Sequence, residues 1–96
     1  MVVVVVVVLG VDLAYLGRGD EGLAQLRRAL RLAEESGDPL ALQRGYVLLT
    51  DVLTMLGRSQ ESALVAETGL DVLRRYGIDN TTLVANRIEA LLAIGE

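Results

Sequence analysis

Apolar residues along this chain recur with the spacing of helices. Leu23, Leu26, Leu30 and Ala33 follow at i, i+3, i+7 and i+10, and Ala63, Ala66, Leu70 and Leu73 repeat the stripe forty residues later. Charged residues occupy the rest of both segments: Arg27, Arg28, Arg31, Glu34 and Glu35 in the first, Glu67, Asp71, Arg74 and Arg75 in the second. Arginines and glutamates one turn apart in the first segment are expected to pair along their own helix. Residues 40–56 are different, being apolar nearly all round with Gln43, Arg44, Thr50, Asp51 and Thr54 as the polar breaks. A helix of that kind has to be covered on more than one side. Punctuation sets the limits. Asp38-Pro39 is a helix start, Gly37 and Gly77 close one set of helices, Gly17, Gly57 and Gly95 close the other, and Asp79 or Asn80 caps the last. The predicted helices are 3–16, 20–36, 39–56, 59–76 and 81–94.

The forty-residue offset extends to the turns. Leu13, Leu16-Gly17-Arg18, Glu21, Leu30 and Gly37 match Leu53, Leu56-Gly57-Arg58, Glu61, Leu70 and Gly77. Alternating amphipathic and all-apolar helices at a fixed period predict an all-α fold, an α-solenoid of stacked antiparallel hairpins with five helices in about two and a half repeats. Residues 11–96 carry the repeats and residues 1–10 stand apart. There, Val2 to Val8 followed by Leu9 form a low-complexity apolar run. It is too short for a membrane span, which needs about 20 apolar residues, and no basic residue precedes it as in a secretory signal. β-Branching favours a strand for seven valines. The repeat register instead puts them at the start of the first inner helix, opposite Leu42 to Leu49, with a misassigned reading-frame start as the alternative.

Composition narrows the chemistry. The 96 residues carry a net charge of −4, all nine basic residues are Arg, and there is no Lys, His or Cys. That excludes thiolate and imidazole catalysis, zinc fingers, Schiff bases and the P-loop lysine. An acidic chain also lacks the electrostatic footprint of a nucleic-acid binder. The expectation is a non-enzymatic chain with no cofactor, no metal, no nucleic-acid or membrane partner and a cytoplasmic location.

The repeated Leu-Gly-Arg-x-x-Glu turn followed by an amphipathic helix resembles tetratricopeptide repeats of a longer, forty-residue kind. Residues 11–96 are similar to the helical-repeat region of large bacterial signalling ATPases, including LuxR-type transcriptional regulators. In that family an ATPase module precedes the repeats and a helix-turn-helix module follows them, so the resemblance implies a fragment of a regulator. Ile94-Gly95-Glu96 falls where the next turn is due, which adds to the expectation of a truncated chain. Gly22, Ser62 and Gly69 stand where the family usually has Ala, and looser helix packing is expected at these points.

Several motifs read most simply as structure. Arg18-Gly19-Asp20 is the integrin-binding tripeptide, but Arg58-Ser59-Gln60 at the equivalent turn marks it as inter-helix turn chemistry, and Asn80-Thr81-Thr82 reads as a helix cap. Adjacent carboxylates such as Glu34 and Glu35 diverge by about 100° on a helix and do not converge on one atom. The remaining candidate is a groove on the inner helices lined by Gln43, Arg44, Tyr46, Thr50, Asn86 and Arg87, since solenoids bind peptides or domains along such faces. Ordinary hairpin packing accounts for the same residues. Three functions follow as expectations: an interaction module for a protein, a peptide or neighbouring domains, a sensor holding a small effector between repeats, or a non-functional truncated product. Exposed repeat ends also predict self-association.

Overall fold

The computed structural model describes residues 2–95, with side-chain surroundings from Val6 onward. The chain is all-helical: α1 (Val2–Tyr15), α2 (Gly19–Ser36), α3 (Pro39–Met55), α4 (Ser59–Arg75) and α5 (Thr81–Gly95). Every boundary lies within one residue of its predicted place. The valine run is helical backbone from Val2, so position prevails over strand propensity; an ordinary residue loses only about 0.7 kcal/mol in a helix, and Val6 and Val7 recover that by burial. The side chains of Val2–Val5, and Glu96, lie outside the described residues.

Four identical turns join the helices, one every twenty residues. Gly17, Gly37, Gly57 and Gly77 have φ of 82°, 63°, 78° and 74°. In each, the glycine N–H bonds the carbonyl three residues back, and the next N–H bonds the carbonyl five back, at Leu13, Ala33, Leu53 and Leu73. This Schellman pairing satisfies the last helical carbonyls. No atom stands within 4 Å of where a Cβ would sit at these glycines, so backbone conformation alone selects them. Gly95, expected to close α5 in the same way, is instead its last helical residue and is not among the described positive-φ glycines. Starts are capped where predicted. Asp38 Oδ1 accepts from the N–H groups of Leu40 and Ala41 at 3.0 and 3.3 Å, and Asn80 Oδ1 from Leu83 N–H at 2.9 Å.

Each helix packs on the next in sequence. In addition α1 packs on α3 and α3 on α5, whereas α2 and α4 make no backbone approach to one another. The Cα envelope of 38 × 33 × 15 Å is as thin as two helix layers about 10 Å apart. α3 touches all four other helices, which accounts for its apolar surface on nearly every side. Two buried clusters follow, one around Leu23, Leu26 and Leu53, the other around Leu42, Tyr46, Leu73 and Leu83.

The three departures from alanine tighten packing rather than loosen it. α1 and α2 cross backbone to backbone, and a Cβ on Gly22 would stand 2.5 Å from the Gly10 carbonyl oxygen and 2.9 Å from the Ala14 amide nitrogen. Forty residues on, Thr50, Thr54 and Ser62 hold the same three positions. There the Ser62 hydroxyl donates to the Thr50 carbonyl at 3.0 Å and lies 2.8 Å from the Thr54 hydroxyl, which therefore donates to it. Gly69 admits the Tyr46 ring, where a Cβ would come within 2.6 Å of Cγ. The pair at the same offset in the first hairpin is Val6 and Ala29, so a larger ring is matched by a smaller partner.

Candidate functional site

Because α2 and α4 stay apart, a cleft runs between them with α3 as its floor. Leu30 and Arg31 from α2, Leu64, Val65 and Thr68 from α4, and Tyr46 and Leu49 from α3 enclose about 360 Å³. Its base is apolar because these α3 positions belong to the core, while its rim is charged because α2 and α4 turn their polar sides outward. Leu64 is 64% exposed at the rim.

Ion pairs tie the two helices at one end of this cleft. Arg27 donates to Glu61 at 3.0 Å, Arg58 bonds Glu61 at 2.7 Å and reaches Asp20 at 3.3 Å. Arg27 thus pairs across the cleft, and the pairing expected along its own helix, which at i,i+3 and i,i+4 joins Arg31 to Glu34 and Glu35, is not formed among the described residues. The Arg58 hydrogen bond, with Arg27 adding to it, holds the Glu61 carboxyl below its usual range. Arg31, further along, has no ionic partner among the described residues. At this end burial pushes the Tyr46 hydroxyl up, and the Glu34 carboxylate beside it adds to the effect.

The six groove residues named from the sequence fall in separate places. Gln43 and Arg44 line a shallow hollow of about 410 Å³ with Val47, Asn80 and Thr82, and Gln43 Oε1 accepts from Asn80 Nδ2 at 3.0 Å. Tyr46 is buried and faces the α2–α4 cleft. Thr50 is fully buried; its hydroxyl donates to the Tyr46 and Val47 carbonyls, both at 2.9 Å, and accepts from Asn86 Nδ2 at 3.0 Å. Asn86 also donates to Asp51 Oδ1 at 2.9 Å. Thr50 and Asn86 therefore bracket α3 to α5. Arg87 lines a third hollow of about 350 Å³ between α4 and α5, with Leu64, Glu67 and Leu91. These residues lie on α3 and α5, and periodicity could not tell which neighbour each would meet. The cleft residues Arg31, Leu64 and Thr68 were missed; an exposed leucine inside an otherwise polar face of α4 was the available signal.

Among the described residues, no group of three His, Cys, Asp or Glu side chains gathers to hold a metal, and no helix is long and apolar enough to cross a membrane. Comparison with protein-family models, with curated proteins and with solved structures finds no match.

Proposed function

We propose that the chain is a non-enzymatic helical-repeat interaction module, an α-solenoid of the tetratricopeptide type that acts within a bacterial transcriptional regulator or signalling ATPase. Its fixed turn every twenty residues and its two-layer packing support the repeat reading. The observation that carries the function is the α2–α4 cleft: an apolar floor, one exposed leucine at its rim, and Arg31 with no ionic partner among the described residues. Such a surface suits a peptide segment that buries one or two apolar side chains and sets a carboxylate against Arg31.

Selection of binding peptides from a random library against the full chain, followed by NMR mapping on the labelled protein, tests this. Shifts should cluster at Leu30, Tyr46, Leu64 and Thr68, and Leu64→Asp and Arg31→Glu should each abolish binding while leaving the helical signal intact. Shifts confined to other surfaces, or no enriched peptide, would overturn the reading. A second reading, a small effector held between repeats, is favoured by the enclosure of Tyr46 and Glu34 where the two hairpins face each other. Screening metabolite pools separates the two, since a tightly held ligand raises the melting temperature.

A further inference from the structure

One face of α5, bordering α4 at Leu91, is left uncovered by the described residues. Val84, Ile88, Leu91 and Leu92 are 40%, 53%, 45% and 65% exposed. At 100° per residue these four, with Ala85 and Gly95, fill an arc of about 120° whose one polar side chain is Thr81, at the first residue of the helix. Arg87 stands on one margin of the arc and Glu89 on the other. The Glu89 margin is doubly acidic, because the Asn86–Asp51 bond holds the Asp51 carboxylate of α3 on that side. Burial, with the Glu89 charge adding to it against the Asn86 hydrogen bond, leaves the Asp51 carboxyl above its usual range. Neither carboxylate, nor Arg87, has an ionic partner among the described residues.

Charge therefore indicates what fits this face. An antiparallel two-fold would oppose Arg87 to Arg87 of the partner subunit and the acidic margin to its like. A parallel two-fold opposes Arg87 to Glu89 of the partner subunit and does so twice. The layer itself has the same sense: Gln43 meets Asn80, and Val47, Thr50 and Asp51 meet Asn86, so α3 and α5 run parallel. At the opposite end α1 also exposes Val8, Leu9 and Tyr15, but Asp12 interrupts that stripe.

We propose that α5 is a homodimer interface, in which it packs parallel against α5 of a second copy about a two-fold axis along the helices, with Arg87 set against Glu89 of the partner subunit. The apolar area offered is a few hundred Å² per copy, which places the dimer among small, reversible interfaces. Leu64 and Arg87 line one hollow between α4 and α5, so the two readings are separated by Arg31, which tests the cleft alone, and by Ile88 and Leu92, which test the dimer alone.

Sedimentation equilibrium of the full chain over a range of concentrations is the test. A monomer–dimer equilibrium is expected. Ile88→Glu combined with Leu92→Glu should leave only monomer, with helical signal retained and with the melting temperature unchanged at concentrations where the native chain is itself monomeric, because both side chains are exposed. Arg87→Glu or Glu89→Arg alone should weaken the dimer about tenfold, and the double exchange should restore it, as two pairs of modest worth each change sign together. A monomer at every concentration, or a dimer indifferent to the Ile88 and Leu92 changes, would overturn the interface. A dimer unchanged or tightened by Arg87→Glu would overturn the parallel axis.

Discussion

The α1–α2 and α3–α4 hairpins cross at equivalent points and solve the crossing in opposite ways. In α1–α2 the side chains are removed, so that Gly22 lies against the Gly10 carbonyl and the Ala14 amide. In α3–α4 the same positions carry hydroxyls, with Thr54 donating to Ser62 and Ser62 donating to the Thr50 carbonyl. The first contact is intolerant of any added atom because what it meets is backbone. The second tolerates atoms but requires their hydrogen bonds, since an unmatched hydroxyl in a buried site costs about 1–3 kcal/mol. One backbone geometry can thus be specified by shape or by polar pairing, and the two leave different vulnerabilities.

The largest expected effect comes from breaking the shape solution. Gly22→Ala should lower stability by about 2–3 kcal/mol, read as a shift of the urea midpoint, because the new methyl has no side chain to displace. Ser62→Ala should cost about 1 kcal/mol, the worth of a buried hydroxyl network that loses its centre. Equal losses at the two positions would remove the distinction drawn between the hairpins. Ser62→Gly sharpens it further: it imports the first hairpin's solution into the second, and should add about 1 kcal/mol of helix propensity to the loss seen with alanine.

Two carboxylates of the second hairpin should give smaller effects of opposite sign. Glu61 is held below its ordinary value of 4.5, chiefly by Arg58, so its ion pairs stabilise the fold above that pH and are lost as pH falls through its lowered pKa. The gap in melting temperature between the native chain and Glu61→Gln should accordingly be present at neutral pH and close in acid. Asp51 is raised above its ordinary 3.8 by burial, so ionising it in the folded state works against stability. Asp51→Asn keeps an acceptor for Asn86 and should melt slightly higher at neutral pH, an advantage that fades as pH falls through the raised pKa. A steady advantage across the whole range would show that desolvation is not the cause.

Much of this was legible in the residues themselves. Asp38-Pro39 and Asn80 announced their caps, and the turn glycines announced the helix ends, because a missing N–H, a short acceptor side chain and a positive φ are local demands. Gly22, Ser62 and Gly69 were legible as departures from alanine but not in their effect. Small residues permit either a gap or a close approach, and only Gly10 and Tyr46 opposite them decide which. Arg27 shows the same limit. Its own helix offers no carboxylate one turn away, and the partner it takes is Glu61, on a helix that comes near only through the packing of both on α3, while Arg31, one turn from Glu34 and Glu35, pairs with neither among the described residues.

The inner-helix groove marks where pattern ends. Sequence determined that Gln43, Tyr46, Thr50, Asn86 and Arg87 sit on α3 and α5, since a 3.6-residue period fixes the face on which a side chain emerges. Tertiary structure alone decided that Thr50 and Asn86 bond to one another, that Tyr46 fills the space left by Gly69, and that the free cleft opens instead between α2 and α4. The physical reason is that helix, cap and turn are set by forces acting over a few residues. Which surfaces remain uncovered depends on the spacing of whole helices, and that spacing is settled by contacts between residues twelve to forty positions apart.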